Sequence, residues 1–122
     1  MAGGATPLQP AAFHILLALA AGERHGYALM GDVEDLSGGT LRIGPGTLYG
    51  SIKRLLAAGW IEESGDRPVD ELDDQRRRYY RLTADGRAAL STEASRLAHL
   101  VNVASQRNVL GGGRLRPRLG EA

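Results

Sequence analysis

The stretch Gly44–Ser64, GPGTLYGSIKRLLAAGWIEES, contains the pattern that decides the fold. Proline suits the first turn of a helix and an Ala58-Gly59 pair suits its end, so we predict a helix over Pro45–Ala58. Trp60–Ser64 follows and is predicted to be a strand. Large apolar residues recur along the helix at the spacing of one buried face: Leu48, Ile52, Leu55 and Leu56.

Two further helices are predicted upstream of this stretch. Pro10–Ala21 has its apolar residues at helical spacing, and Gly22 is suited to end it. Gly26–Leu36 is a second helix, broken by Ser37-Gly38-Gly39. The residues expected to face inward are Phe13, Leu16, Leu17 and Ala20 in the first helix, and Leu29, Val33 and Leu36 in the second.

A second strand is predicted downstream, at Arg77–Leu82, after the polar turn of residues 65–75. Three helices, a strand, a loop and a strand follow one another in the order of a winged helix-turn-helix. The expected fold is therefore mainly α (α+β), with a two-stranded β wing. We assign residues 9–82 to this winged helix-turn-helix and residues 1–8 to a flexible N-terminal arm.

The residues after the second strand predict one long helix, over residues 83–109. Thr83 is a good N-cap, and Asp85 lies in the first turn, where the helix dipole favours an acid. Steps of four and three then give a seam of the coiled-coil type, which needs a partner to cover it: Leu90, Ala94, Leu97, Val101 and Ala104. We expect this seam to form a dimer, or else to fold back onto the first helix. Residues 110–122 are Gly- and Arg-rich and are predicted to be a disordered tail.

Composition narrows the class of protein. The chain has 122 residues and a net charge of +1. It has no cysteine, which excludes disulfide scaffolds and thiolate metal sites. With no secretory signal and no long apolar run, we expect a cytoplasmic protein that does not enter a membrane. The three histidines lack metal-ligand spacing, and no catalytic motif occurs, so we expect no cofactor, no metal and no enzymatic activity. Gly44-Pro45-Gly46 is not a dinucleotide fingerprint, because Tyr49 occupies the place of the third glycine.

The exposed face of the Pro45–Ala58 helix is predicted to bind nucleic acid. Cations neutralise phosphates or pair with guanine edges, hydroxyls reach the backbone, and glycines allow close approach. This face has two cations and no acid, and Arg42 precedes the helix. Its predicted contact residues are Tyr49, Gly50, Lys53 and Arg54, with Thr47 and Ser51 at the margins.

The wing is predicted to make a second contact through Arg76, Arg77 and Arg78. These arginines could instead form a solvated strand edge paired with Asp73 and Asp74. We expect Trp60, Tyr79 and Tyr80 to pack beneath the wing rather than to stack on nucleic acid.

Three motifs resemble the PadR family of bacterial transcription regulators: HGYAL (His25–Leu29), GPGTLYGSIKRLLAAGWIEES (Gly44–Ser64) and RRRYYRLTADGRAAL (Arg76–Leu90). The resemblance covers roughly residues 10–105. It implies a homodimer that binds a pseudo-palindromic operator in double-stranded DNA, usually as a repressor. The matching positions make Pro45–Ala58 the DNA-reading helix and Ser64–Arg78 the wing.

The resemblance also implies that a small-molecule effector often relieves repression. Such an effector would sit between the C-terminal helices and the winged-helix cores. The chain resembles the short subgroup, which has a single C-terminal dimerisation helix.

A second function remains open from the residues alone. The acidic run Asp70–Asp74 lies in the wing loop and is unfavourable beside DNA. The alternative to a DNA-binding regulator is therefore a winged-helix module that binds protein, in which the basic helix face is incidental.

Overall fold

The computed structural model describes residues 7–64 and 78–111, and within them the fold is a winged helix. Its three-stranded sheet is antiparallel, with strand order β1-β3-β2. The predicted mainly α (α+β) class is therefore confirmed. The elements in chain order are α1 (Pro10–Ala20), β1 (Arg24–His25), α2 (Ala28–Leu36), α3 (Pro45–Ala58), β2 (Ile61–Glu63), β3 (Tyr79–Leu82) and α4 (Ala84–Gln106).

Helix α3 has the predicted bounds. Pro45 occupies its first turn, and the helix ends at Gly59, whose φ of 80° lies in the left-handed region that glycine adopts most easily. The turn that leads into α3 is held by Ser37, whose Oγ accepts a hydrogen bond from Leu41 N at 2.9 Å and donates one to Glu34 O at 3.0 Å. This turn fixes where α3 begins relative to α2.

The hydrophobic core lies where α1, α2, α3 and the sheet meet. Two predicted inward residues are in fact exposed, Leu17 at 38% and Leu36 at 48%. The buried face of α1 is rotated from the predicted one, because Ile15 and Leu19 face the core together with Leu16. Buried core residues are Ile15, Leu16, Leu19, Leu29, Val33, Leu48, Ile52, Leu55, Ile61, Tyr80 and Leu90.

Strand β1 is absent from the sequence prediction, which expected two strands. Its two residues pair with β3, Arg24 opposite Tyr80 and His25 opposite Tyr79. Gly26 N then donates to Arg78 O at 2.8 Å, so the second helix begins at Ala28 rather than at Gly26. The His25 ring lies edge-on to Tyr79, and its Nδ1 accepts a hydrogen bond from Tyr27 N at 3.3 Å.

Hydrogen bonds join the start of α4 to the residues that follow α3. Thr83 Oγ1 accepts a hydrogen bond from Gly86 N at 3.0 Å, as predicted for an N-cap, and donates one to Gly59 O at 2.7 Å. Thr83 N donates to Trp60 O at 3.0 Å. Gly86 lies so close to this carbonyl that a Cβ added to it would be 1.9 Å from Trp60 O. Trp60 is half-buried and packs against the hydrophobic core.

The chain divides into two compact units, residues 1–91 and residues 92–122. Leu90, a predicted seam residue, is buried in the core of the first unit, so its burial does not require a second chain. In the second unit Leu97 and Ala104 are half-buried, whereas Ala94 and Val101 are exposed. Leu100 and Val101 are both about half exposed, at 50% and 51%. Among the described helices, none is long and apolar enough to cross a membrane.

Replacement of Gly86 by alanine should destabilise the winged helix. Its Cβ would overlap backbone rather than a flexible side chain, so we expect the free energy of unfolding to fall by about 2 kcal/mol or more. Gly31→Ala in α2 is the matched control, because a Cβ there has no neighbour within 4 Å. It should raise stability by up to about 1 kcal/mol through helix propensity. Urea unfolding of both variants measures this, and equal effects would contradict the packing at Trp60.

Candidate nucleic-acid interface

The solvent face of α3 is basic. Thr47, Lys53 and Arg54 are exposed, Gly50 is half-buried, and the helix contains no aspartate or glutamate. Lys53 has no ion pair within the described residues. An added Cβ at Gly50 would come no closer than 3.6 Å to Arg54 Nη1, so packing within the described chain does not require a glycine there.

Two residues predicted to lie on this face are turned away from solvent. Ser51 is only 3% exposed, and Tyr49 is half-buried and packs against the core. At 100° per residue, Tyr49 lies only about 20° from Leu56 around the helix, so its side chain follows the apolar face. Ser51 lies on the opposite margin, where its side chain is buried. The predicted outward orientation of both residues is wrong in this chain.

Two of the predicted cations are held by acids. Arg42 Nε lies 3.1 Å from Glu34 Oε2, and Arg78 Nη1 lies 3.0 Å from Glu63 Oε2. All four side chains are substantially exposed, so each pair contributes little to stability. Sequence reasoning missed both acids as partners, because each meets its arginine only through the tertiary fold.

The other residues of the predicted wing contact lie outside the part of the chain that the structure describes. Arg76 and Arg77 lie outside the described residues, as do Asp73, Asp74 and the whole acidic run Asp70–Asp74. At the base of the wing, Arg81 Nε donates to Glu62 Oε2 at 2.7 Å across the β2–β3 pair. The described base of the wing therefore alternates charges of both signs.

Tyr80 of β3 is buried in the hydrophobic core and has a raised pKa. Its side chain is completely covered, and its hydroxyl has no hydrogen-bond partner among the described residues. Burial raises the pKa of Tyr80 to about 12, and the nearby carboxylate of Glu63 adds to the rise while Arg78 opposes it. The residue is a neutral packing element at physiological pH.

Within residues 7–64 and 78–111, histidine, aspartate and glutamate side chains form no group able to hold a metal ion. His14 Nδ1 lies 2.7 Å from Pro10 O, one turn earlier in α1, which is a structural contact.

Comparison with known proteins identifies the family. Residues 15–92 match the family described as transcriptional regulator PadR-like, and the chain therefore belongs to that family. It is also similar to transcriptional regulator Rv3488 of Mycobacterium tuberculosis, with 41% identity over 99 residues that cover 81% of each chain. PadR regulators bind DNA and are often dimeric, and the family is one of regulators rather than enzymes.

A second relative is much longer than this chain. An uncharacterized 37.1 kDa protein in transposon TN4556 of Streptomyces fradiae is 42% identical over 86 residues, which are 70% of this chain and 22% of that protein. The chain therefore spans about a fifth of the Streptomyces relative.

Solved structures agree on the fold. A PadR family transcription regulator from Clostridium difficile R20291 superimposes with a TM-score of 0.63 at 22% identity, covering 80% of this chain and 97% of that one. A transcriptional regulator from Clostridium thermocellum gives 0.62 at 23% identity, with 79% and 87% covered. These structures support the winged-helix architecture.

Because Tyr80 is buried, the free energy of unfolding should fall at alkaline pH. An unfolded tyrosine titrates near pH 10 and folded Tyr80 near 12, so its contribution is fully present below pH 10 and is lost as the pH rises through 12. We expect Tyr80→Phe to be neutral or stabilising at pH 8, because it removes a buried hydroxyl without a partner.

Between pH 10 and 12 the Tyr80→Phe variant should lose less stability than the wild type. Urea unfolding of both proteins at pH 8, 10 and 11.5 measures this difference. The other tyrosines titrate in both proteins, so their contribution cancels in the comparison. Tyr27→Phe is the control, because Tyr27 is exposed. An identical alkaline loss in wild type and Tyr80→Phe would contradict the assignment.

Proposed function

We propose that this protein is a sequence-specific DNA-binding transcription regulator that acts as a homodimer on a pseudo-palindromic operator. The observation that carries the proposal is the exposed face of α3, which presents Lys53, Arg54 and Thr47 without any acid. Membership of the PadR-like family supports the same function. In the proposed complex, α3 of each protomer enters the major groove.

Each part of this face would contact DNA in its own way. Lys53 and Arg54 neutralise phosphates or pair with guanine edges, and Thr47 reaches a phosphate. Gly50 leaves room for the duplex to approach the helix backbone, a role consistent with the absence of any internal need for glycine. Tyr49 and Ser51 pack on the margins of the buried face of α3, so they would help to hold the helix in place without contacting DNA.

Arg42 and the wing arginines would provide the flanking contacts. Arg42 and Arg78 are already paired with Glu34 and Glu63, so phosphates must replace these carboxylates when DNA binds. The exchange lowers the net gain from each contact. We propose Arg76 and Arg77 as further backbone contacts, because they precede Arg78 in the chain.

The second unit would supply the dimer contact. Along α4, Leu97, Leu100, Val101 and Ala104 recur at steps of three, one and three, which places them on one side of the helix. The exposure of Leu100 and Val101 supports burial against a second copy. Two α3 helices would then lie about one DNA turn apart.

The regulatory outcome would be repression by promoter occlusion in the bacterial cytoplasm, relieved by a small-molecule effector. We assign the chain no enzymatic activity, in keeping with its family. The second candidate, a protein-binding winged helix, is favoured only by the acidic wing loop Asp70–Asp74.

Loss of one cation from α3 should change the salt dependence of DNA binding. Lys53→Gln should weaken binding to the duplex upstream of the gene and reduce the slope of log K against log salt by about 0.9 for each lost phosphate contact, or about 1.8 per dimer. Fluorescence anisotropy over a salt series measures both quantities. Arg87→Gln is the control, because Arg87 is an exposed cation of α4 outside the proposed surface.

Two results would overturn this assignment. Equal affinities and equal slopes for the wild type and Lys53→Gln would remove Lys53 from the interface. Passage of the wild type through a heparin column at moderate salt would favour the protein-binding alternative.

A charge on the exposed stripe of α4 should separate the dimer. Val101→Asp places a carboxylate among apolar side chains, so we expect the sedimentation mass to fall towards that of the 13.0 kDa chain. Asn102→Asp adds the same charge one position away, at an exposed residue outside the stripe, and should remain dimeric. Dissociation of both variants, or of neither, would contradict the proposed interface.

A further inference from the structure

Lys53 is the only lysine of the chain, whereas the fourteen other residues that are lysine or arginine are all arginines. The two side chains carry the same charge but differ in chemistry. The guanidinium of arginine stays protonated in proteins, whereas the primary amine of lysine becomes a nucleophile once it loses its proton. Lys53 is therefore the one side chain of this protein that can form an amide with an acyl donor.

The surroundings of Lys53 leave its amino group accessible. The residue is exposed, and its neighbours one turn away along the solvent side of α3 are Gly50 and Ala57, which bring neither bulk nor charge. A Cβ added at Gly50 would have Arg54 Nη1, at 3.6 Å, as its nearest neighbour, so the helix surface before Lys53 is open. A reagent can therefore approach the lysine along the helix.

No carboxylate holds Lys53 within the part of the chain that the structure describes. Helix α3 contains no aspartate or glutamate, so none lies three or four residues from Lys53 within the helix. Arginines elsewhere in the fold are different, because acids hold them in ion pairs: Arg24, Arg42, Arg78, Arg81 and Arg96. Acylation of Lys53 would thus break no ion pair among the described residues.

The charge of the helix face favours an acyl donor that is itself an anion. Lys53 is followed by Arg54, a second exposed cation. A surface with cations and no acid raises the local concentration of anionic molecules. Coenzyme A thioesters carry phosphate groups, and a guanidinium such as that of Arg54 can hold a phosphate through two parallel hydrogen bonds. Such a contact would bring the thioester close to the Lys53 amine.

We propose that Lys53 is a site of acylation by acyl-coenzyme A thioesters. The deprotonated Nζ attacks the carbonyl carbon of the thioester, so that a C–N bond forms and the C–S bond breaks. The sulfur leaves with its electron pair as the coenzyme A thiolate, and the nitrogen gives its extra proton to solvent. The product is a neutral amide, and no oxidant or reductant takes part.

Acylation would act on the proposed DNA contact. It removes one of the two exposed cations of the α3 face, Lys53 and Arg54. Because the chain has no other lysine, one modification per protomer gives the whole effect. This consequence rests on the proposed function, whereas acylation itself does not.

The direct test is the acetylation of DNA-free, full-length protein by acetyl-coenzyme A at pH 8, followed by peptide mass spectrometry. The Arg87→Lys variant provides an internal control, because it adds an exposed lysine on α4, outside the basic face, to a molecule that keeps Lys53. We expect Lys53 to react about three- to tenfold faster than the introduced lysine. High salt should reduce this ratio towards unity, because it screens the attraction of the donor.

A neutral donor separates electrostatic attraction from simple accessibility. S-Acetyl-N-acetylcysteamine has the same thioester group without phosphates, so it should acetylate both lysines at similar rates. In Arg54→Gln the reaction of Lys53 with acetyl-coenzyme A should slow, whereas its reaction with the neutral thioester should not. The site is refuted if acetyl-coenzyme A shows no preference for Lys53, or if the neutral thioester shows the same preference.

The effect on DNA binding is measured separately, by fluorescence anisotropy before and after acetylation. We expect the acetylated wild type to bind more weakly, with a salt slope reduced by about 1.8 per dimer, as for Lys53→Gln. Lys53→Arg keeps the charge but cannot form the amide, so the treatment should not change its affinity.

The two proposals fail in different ways. No loss of DNA affinity in the acetylated wild type, or an equal loss in treated Lys53→Arg, would refute the coupling and keep the site. An absence of specific DNA binding by the untreated wild type would instead refute the proposed function.

Discussion

Burial of the aliphatic face of α3 is the interaction on which the rest of the structure depends. Leu48 and Ile52 are fully buried and Leu55 nearly so, against α1, α2 and the strands. Each such side chain contributes about 1.5–3 kcal/mol when it leaves water, which is a large share of the stability of a domain this size. Because this face is held so firmly, the opposite face is presented in a fixed orientation.

The same constraint explains which residues of α3 are available to a partner. The core covers the helix well beyond its aliphatic centre, and it includes Tyr49 on one margin and Ser51 on the other. Thr47, Lys53 and Arg54 stay exposed on the opposite side, and Gly50 between them is half-buried. A helix in the major groove needs an arc of this kind, narrow and basic.

Local sequence signals were sufficient for most of the fold. Pro45 and Gly59 mark both ends of α3, and Thr83 marks the start of α4, because caps and turns depend on neighbouring residues. The third strand was not predictable, since Arg24 and His25 are extended only through pairing with β3. The rotated face of α1 was missed for a similar reason, because several rotations of an almost uniformly apolar helix match the same pattern.

The candidate site was less predictable than the fold, because its electrostatics arise from distant parts of the chain. Glu63 meets Arg78 across the base of the wing, and Glu34 of α2 meets Arg42 beside α3. In the proposed complex, these carboxylates would compete with DNA phosphates for the guanidinium groups of Arg42 and Arg78. Lys53 has no such partner within the described residues, so in the proposed complex it would give up no internal ion pair there. The near-neutral net charge is thus compatible with DNA binding, because what matters is which cations are already paired.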